Sequence, residues 1–464
     1  MNNESAIASS AVEPVITYAR RLGVWDASMV VVGGVIGSGI FLTPHTIAQQ
    51  TGSSAEQLLA WLIGGAIALV GALCYAELGA RRPTAGGGYV YLRDAFGPLP
   101  AFLYGWALLV AIASGATAAV AVTFASYAAP LLGMSDSARI PLAAAVIIIL
   151  AIVNIVGVEP GTMTQNVFTI LKLAAIGALV AGGLGSATLS HAVTAPTSAP
   201  ARAAPGTLAV ALGTALVPVL FAYGGWQQTN FVAGEMIEPR RNLPRALVWG
   251  VLVVAAVYLA VNFTYLRTLG VAGLAASSAP AADAMALRFG PVGRTLIAVG
   301  IAVSTFGFLD IVILVTPRVY QAMARDGLFF RRLAVLHPRF RTPVAAIALQ
   351  AAWAIALLLT GTYGELLDYV TFADWIFFGA TAATLVVYRR RDRAGGESGF
   401  RAPFYPWSVA LFVLAAAYVI AGAVVSSPRN ALHGVVLLAI GALAYAWWRS
   451  RLPLTSTQPA PGQP

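Results

Sequence analysis

Gly33-Gly-Val-Ile-Gly-Ser-Gly-Ile-Phe41 is a glycine-rich stretch inside an apolar segment that predicts a membrane-spanning helix over residues 24–50. Because glycine destabilises a helix interior and permits tight backbone turns, we expect this helix to be interrupted. A second such stretch, Phe221-Ala-Tyr-Gly-Gly-Trp-Gln-Gln228, lies inside the predicted span 207–236. Interrupted helices at corresponding places in two halves of a membrane protein are typical of inverted-repeat transporters, and they indicate the substrate site.

The composition is that of an all-α polytopic membrane protein. Of the 464 residues, 59% are hydrophobic and 10% are charged, whereas about 25% of residues are charged in a soluble domain. Apolar runs of roughly 20 residues, the length that crosses a bilayer, recur along the chain. The twelve predicted transmembrane helices are 24–50, 57–80, 98–130, 141–157, 162–185, 207–236, 243–267, 294–322, 343–360, 364–388, 405–425 and 431–448.

The arginine positions predict the orientation of these helices. With the N-terminus inside, 21 of the 27 arginines fall in cytoplasmic segments and 6 in external ones, as the positive-inside rule requires. We therefore predict a multi-pass protein of the cell (inner) membrane with both termini cytoplasmic. The net charge of +10 then reflects topology and some attraction to anionic lipid, and it does not indicate a nucleic-acid partner.

The two glycine-rich interruptions lie five helices apart, so a repeat of five helices would return in the opposite orientation. Gly33 and Gly37 also form a GxxxG pair, which alone indicates close helix packing equally well. Tyr89 to Phe96 predicts a short interfacial helix in the inner loop, and 186–206 and 268–293 are predicted external loops. The predicted parts of the chain are a cytoplasmic tail 1–23, a ten-helix inverted-repeat core 24–389, helices 11 and 12 over 390–451, and a disordered tail 452–464.

Several kinds of site are not predicted by this sequence. The single cysteine, Cys74, lies within a span and can form no internal disulfide. The four histidines are scattered and lack metal-ligand spacing. The sequence contains no nucleophile–base pair and no nucleotide-binding loop. A channel would need a continuous polar pore and a receptor would need a signalling domain, and the sequence predicts neither. We therefore predict no enzymatic activity, no catalytic residue, no metal and no cofactor.

Four motifs together resemble the amino acid–polyamine–organocation (APC) transporters, and the resemblance covers residues 22–425. The first glycine-rich stretch resembles the signature of that superfamily. The other three resemble its L-type amino acid transporter branch: Phe221-Ala-Tyr-Gly-Gly-Trp226 followed by Asn230-Phe-Val, Cys74-Tyr-Ala-Glu-Leu-Gly79, and Pro317-Arg-Val-Tyr-Gln-Ala-Met-Ala-Arg-Asp-Gly327. Any one motif alone would be weak, whereas the combination is specific.

The resemblance implies a LeuT-type fold, a 5+5 inverted repeat with discontinuous helices 1 and 6, and transport of amino acids by alternating access.

The backbone groups that the two interruptions expose agree with amino acid binding. Unwinding at Gly37–Gly39 frees N–H groups that favour a carboxylate, and unwinding at Ala222–Gly225 frees carbonyls for an ammonium. By resemblance, Phe221 covers the substrate from outside. The predicted substrate-binding residues are Ile36, Gly37, Ser38, Gly39, Ile40, Phe221, Ala222, Tyr223, Gly224 and Trp226, although Ser38, Phe221 and Trp226 also fit simple packing.

Lys172 is the only lysine in the chain, and it lies in the middle of the predicted span 162–185. A midspan ammonium costs roughly 2.5–3.5 kcal/mol on insertion scales. Either it faces a wet crevice, or its charge replaces a bound cation. Sodium-independent relatives carry a lysine on the matching stretch, so the resemblance implies sodium-independent transport. We expect the ammonium to donate to carbonyls around 33–36 and to Ser304 or Thr305, with a proton-coupling role as an alternative.

Asp310 and Asp374 are two further ionisable groups within predicted spans. Asp310 is predicted to act in coupling together with Lys172 and Ser304. In the L-type branch we would expect a neutral residue such as Asn at this position. Intramembrane acids mark function, but a structural hydrogen bond or a pair with Lys172 also fits. Glu77 and Arg81, four residues apart, predict an ordinary ion pair. Glu235 and Glu238 predict inner-gate or interfacial charges.

The favoured function is sodium-independent exchange or facilitated transport of small neutral L-amino acids. The alternative is a proton-coupled importer, or an exchanger of cationic amino acids or diamines. In animals the L-type branch pairs with a single-span glycoprotein through a cysteine after helix 3. The corresponding loop 131–140 has no cysteine, so we expect no disulfide-linked heavy chain.

Overall fold

The computed structural model describes residues 17–185, 208–361, 363–392, 399–426 and 428–450. Apart from one isolated bridge between Leu22 and Met236, these residues form helices, turns and loops. The α-helices are α1 (Val24–Val35), α2 (Gly39–Gln50), α3 (Ser54–Arg81), α4 (Gly88–Phe96), α5 (Pro98–Ala107), α6 (Ala113–Leu131), α7 (Arg139–Val156), α8 (Val158–Leu184), α9 (Leu208–Ala222), α10 (Pro239–Ala276), α11 (Pro280–Val315), α12 (Pro317–Arg325), α13 (Val344–Thr360), α14 (Tyr363–Arg391), α15 (Trp407–Ser426) and α16 (Pro428–Ser450).

The described residues form a polytopic helical membrane protein, as predicted. Eight helical stretches are long and apolar enough to cross a bilayer, and α1 and α13 are shorter apolar helices. The predicted interfacial helix is present as α4, which begins one residue earlier than predicted. The predicted loop 186–206 and the predicted tail 452–464 lie outside the described residues.

Both glycine-rich stretches interrupt their helices. Residues 36–38 separate α1 from α2, and residues 223–225 follow the end of α9. Beyond Gly225, which has a left-handed φ of 112°, the chain continues as a 3₁₀ helix over Trp226–Glu235 rather than as the α-helix expected there. Side chains compete for the backbone in this segment, because Gln227 Oε1 accepts from Gly225 N at 2.9 Å.

The prediction of an external loop at 268–293 is wrong, since most of that segment is helical. The structure continues α10 to Ala276 and begins α11 at Pro280, with kinks at Gly270 (φ 66°) and Gly290 (φ 57°). Alanine dominates the sequence between the two kinks, and alanine has the highest helix propensity. Leu274 and Met285 are buried there, so the segment gains packing as well.

Gly33 is a tight contact of α1 with α8 and α11. A Cβ added at this position would overlap Gln165 and would stand 2.6 Å from Thr169 Oγ1 and 2.8 Å from Ile311 Cδ1. Small residues at such contacts let helix backbones approach closely in a membrane. Close packing at Gly33 and helix interruption at residues 36–38 therefore occur together in one stretch.

We expect Gly33→Ala to lower the unfolding temperature of the purified protein, because overpacking a tight contact costs about 1–3 kcal/mol. Gly177→Ala is the matched control. Gly177 lies inside α8 with nothing within 4 Å of an added Cβ, and alanine gains up to about 1 kcal/mol of helix propensity there. Thermal unfolding in detergent would measure both. Equal unfolding temperatures for the two variants would contradict the tight contact.

Candidate functional site

The two glycine-rich stretches, Gly33–Phe41 and Phe221–Gln228, touch each other through their backbones. A Cβ on Gly34 would stand 3.2 Å from the carbonyl oxygen of Gly225, and a Cβ on Gly225 would overlap the carbonyl of Gly34. A Cβ on Gly39 would stand 3.6 Å from Cα of Ala222. Glycine is needed for this approach, and among the predicted site residues the structure thereby brings Gly39 next to Ala222.

Tyr258 of α10 links the two interruptions with one hydroxyl group. Its O–H is shared between the carbonyls of Val35 at 3.0 Å and Ala222 at 3.1 Å. The side chain is fully buried, and its ring packs edge-on against Trp61 with centroids 5.3 Å apart. Tyr258 was not among the predicted site residues, because an isolated tyrosine in an aliphatic span gives no indication of its partners.

On the side of the first interruption, backbone donors are left free. The N–H groups of Ser38, Gly39 and Ile40 have no backbone acceptor in the described part of the chain, as is usual for the first turn of a helix. Ser38 and Gly39 are partly exposed, whereas Ile40 is buried. Free N–H groups and the positive end of α2 together favour an anion.

On the side of the second interruption, backbone acceptors are left free, but fewer than expected. The carbonyl of Ala222 accepts from Tyr258, and that of Gly225 accepts from the N–H of Gln228 at 3.2 Å. The carbonyls of Tyr223 and Gly224 accept no hydrogen bond from the described residues. Two adjacent carbonyls are therefore available for a donor such as an ammonium.

The aromatic residues predicted around the second interruption are in different surroundings. Phe221 is 46% exposed at the end of α9, whereas Trp226 is only 3% exposed. Trp226 packs edge-on against Tyr75, with ring centroids 4.9 Å apart. Phe308 of α11, which the sequence analysis missed, lies against the first interruption, 3.4 Å from a Cβ on Gly37. Phe221 and Phe308 are thus the less buried rings near the two interruptions.

Lys172 of α8 reaches the end of α1. Its Nζ donates to the carbonyls of Ile36 at 2.8 Å and Gly33 at 3.2 Å, and the lysine is fully buried. Gly307 leaves room for it, since a Cβ there would stand 3.4 Å from Lys172 Cε. A cation placed at the C-terminal end of a helix interacts favourably with its dipole.

Ser304 of α11 completes this junction. Its Oγ is shared between the carbonyls of Ile36 and Gly37, each at 3.3 Å. The neighbouring Thr305 instead donates to the carbonyl of Ile301 at 2.8 Å within its own helix. The structure therefore brings Lys172 and Ser304, but not Thr305, to the carbonyl of Ile36.

Asp310 is fully buried but belongs to another contact. Asn154 Nδ2 donates to its Oδ1 at 2.8 Å, and the described residues include no ion pair between Asp310 and Lys172. Asp310 Oδ2 and Asn154 Oδ1 are both buried, and neither has a hydrogen-bond partner in the described part of the chain. Asp374, in α14, is half-buried. The structure therefore does not bring Asp310 to the junction formed by Lys172 and Ser304.

The predicted pair of Glu77 and Arg81 is confirmed, at 2.7 Å, and Glu77 also pairs with Arg389 at 2.5 Å. Glu235 and Glu238 differ from each other. Glu235 is buried and its Oε1 accepts from Arg318 Nε at 2.7 Å, whereas Glu238 is exposed. The buried pairs join α3 to α14, and the 3₁₀ segment to α12.

Known transporters resemble this chain over most of its length. Residues 22–444 match the family model described as amino acid permease. The chain is 32% identical to the serine/threonine exchanger SteT of Bacillus subtilis (strain 168), over 93% of this chain and 97% of that protein. It is 33% identical to the human large neutral amino acids transporter small subunit 2, over 81% of this chain and 70% of that protein. It is 30% identical to the human b(0,+)-type amino acid transporter 1, over 93% and 89% of the two chains.

We expect Tyr258→Phe to lower the unfolding temperature, because it leaves two buried carbonyls without their shared donor at a cost of about 1–3 kcal/mol. Tyr265→Phe is the matched control, since Tyr265 lies on the same helix, is equally buried, and its hydroxyl has no hydrogen-bond partner among the described residues. Thermal unfolding in detergent would compare the two. An equal fall in the unfolding temperature of Tyr265→Phe would contradict the role of the Tyr258 hydroxyl as a shared donor.

Proposed function

We propose that this chain, which belongs to the amino acid permease family and to the L-type branch of the APC superfamily, exchanges small neutral L-amino acids across the cell membrane without sodium. The family and the relatives are transporters, so the prediction that the chain is not an enzyme is confirmed. The proposal also covers the substrate class, the site residues, the ion dependence and the topology.

The main support for the proposal comes from the place where the two interruptions meet, here called the crossing. Free backbone donors lie on one side of the crossing, and free backbone acceptors lie on the other. Within the described residues, the N–H groups of Ser38, Gly39 and Ile40 are unpaired on one side, and the carbonyls of Tyr223 and Gly224 are unpaired on the other. An α-amino acid carries a carboxylate and an ammonium on one carbon, and it complements both sets at once. Irregular backbone of this kind is tolerated within a membrane only where it is buried in protein or lines a cavity.

The proposed architecture is the LeuT-type arrangement of twelve spans with both termini cytoplasmic. The positions of the two interruptions, one in each half of the core 24–389, support it. Transport then proceeds by alternating access around the crossing, in which one half moves against the other around a fixed site. Phe221, partly exposed at the end of α9, is the proposed outer cover of the substrate.

Sodium independence is supported by the contacts of Lys172. Its ammonium and the hydroxyl of Ser304 both donate to the carbonyl of Ile36, which is the kind of oxygen that would otherwise coordinate a cation. A fixed positive charge therefore stands where a bound cation would act. No metal or cofactor is part of the proposed mechanism.

The proposed substrate class is small and neutral. It rests on a relative that aligns over 97% of its own length and is named a serine/threonine exchanger. The proposed transporter works without a disulfide-linked heavy chain, because its one cysteine, Cys74, is buried. The amino acid and the lipid bilayer are its proposed partners.

A proton-coupled importer, or an exchanger of cationic substrates, is the second candidate, and Asp310 favours it. This carboxyl is fully buried, and its Oδ2 has no hydrogen-bond partner among the residues that the structure describes. Ionisable groups within membrane spans are costly and mark proton relays and substrate pathways. In this candidate, Asp310 takes up a proton or meets the extra charge of the substrate.

We expect proteoliposomes that contain the purified protein to take up radiolabelled L-alanine or L-serine from sodium-free buffer. Exchange predicts uptake only when unlabelled amino acid is present inside, with empty vesicles close to protein-free ones. Uptake that requires a sodium gradient would contradict the proposal. Uptake into empty vesicles that rises with an inward proton gradient would instead support the second candidate.

We expect Lys172→Ala to lower the exchange rate at least about tenfold, because hydrogen bonds to a charged group contribute about 1.5–3 kcal/mol. Thr305→Ala is the control, since the hydroxyl of Thr305 bonds only within its own helix. Rates would be measured in the same vesicles and normalised to the protein recovered as a monodisperse peak. An unchanged affinity and turnover in Lys172→Ala would refute the role of the ammonium.

A further inference from the structure

We propose that two adjoining cavities at the start of α10 bind one anionic glycerophospholipid. Its phosphate lies at Arg240, Arg241 and Arg245, and one acyl chain lies in the groove between α1, α8 and α10. The first space is called the headgroup cavity and the second the acyl groove. The proposal concerns a lipid site away from the crossing of the interruptions and does not depend on the transported substrate.

The headgroup cavity has a volume of about 430 Å³, and all three arginines line it together with the apolar side chains of Val248, Trp249 and Phe400. The three arginines are exposed. Arg240 and Arg245 have no acidic partner in the described part of the chain, and the nearest acid to Arg241 is Glu238, at 3.7 Å. Among the residues that the structure describes, Glu238 is thus the one acid within ion-pair distance of these three positive charges.

The acyl groove has a volume of about 570 Å³ and is almost wholly apolar. Residues from three helices line it: Trp25, Met29 and Val32 of α1, Leu173 of α8, and Trp249 and Val253 of α10. Arg245 and Trp249 line both spaces. The charged cavity and the apolar groove therefore adjoin, and a single amphipathic molecule can occupy both.

One face of α10 has the polarity profile of a phospholipid. Arg241, Arg245, Trp249 and Val253 follow at intervals of four residues, so each lies next to the following one on the helix surface, and the row winds slowly around the axis. At 1.5 Å per residue they extend over about 18 Å along the axis. The order from charge through tryptophan to aliphatic side chain matches the order from headgroup through interface to hydrocarbon.

Charge and shape together favour a lipid over a free anion. Inorganic phosphate would fill only the headgroup cavity and would leave the acyl groove empty. A zwitterionic lipid would bring its own positive charge to a cavity that already holds three arginines. Basic residues near a membrane surface each contribute about 1 kcal/mol to the binding of anionic lipid, which corresponds to roughly fivefold in affinity for each arginine.

The test is a titration of the purified full-length protein in detergent, followed by native mass spectrometry. Dioleoyl phosphatidylglycerol is compared with dioleoyl phosphatidylcholine. The test variant is Arg241→Gln/Arg245→Gln. The control variant is Arg339→Gln/Arg390→Gln, which removes the same charge from two exposed arginines that line neither cavity.

We expect retention of phosphatidylglycerol by the wild type and the control, and an affinity at least tenfold weaker in the test variant. Equal affinities in the two variants would overturn the proposal in favour of diffuse attraction to a basic surface. No preference for phosphatidylglycerol over phosphatidylcholine in the wild type would also overturn it. If the double variant fails to give a monodisperse peak, Arg245→Gln alone is used, with an expected loss of about fivefold.

Two further measurements separate a lipid from a free anion. Sodium phosphate alone should leave the unfolding temperature unchanged while phosphatidylglycerol raises it; an equal rise with phosphate would make the cavity an inorganic-anion site and overturn the proposal. Trp249→Ala keeps all three arginines but removes a shared wall of the two spaces. We expect it to weaken phosphatidylglycerol binding at least threefold, and an unchanged affinity would exclude an acyl chain from the groove.

Discussion

Two interrupted helices meet backbone to backbone at Gly34 and Gly225, and the surrounding side chains are arranged around the polar groups that this meeting exposes. Inside a membrane protein, backbone carbonyls and N–H groups need partners as strictly as anywhere. Lys172, Ser304 and Tyr258, from three different helices, supply donors to the carbonyls of the first interruption. The groups that remain unpaired form a small set with opposite polarity on the two sides, which is the basis of the proposed recognition of a zwitterion.

Two kinds of polar contact hold the helices together. Around the crossing the contacts are hydrogen bonds to backbone, whereas toward one end of the helices they are buried ion pairs of Glu77 with Arg389 and of Glu235 with Arg318. Removing one partner of such a pair leaves an uncompensated buried charge and is strongly destabilising. The 3₁₀ segment is therefore tied at Glu235, while its other end, at Gly225, depends on close backbone approach.

The sequence predicted the features that depend on local composition. Both interruptions result from glycine, and the unusual position of Lys172 is evident from its charge within an apolar run. It could not predict which side chains from distant helices meet them, so Tyr258 and Phe308 were missed. The expected external loop at 268–293 is helical because alanine content and burial outweighed two glycine kinks.

The contacts of Lys172 have a consequence for chemistry in solution. No other lysine is present in the chain, and this one is fully enclosed, with Nζ held by two carbonyls. Acylating reagents and aldehyde fixatives, which consume side-chain amines, thus find none at the surface. The extent of acylation at Lys172 Nζ therefore measures how often the junction between α1, α8 and α11 opens to water. This measurement requires no engineered label.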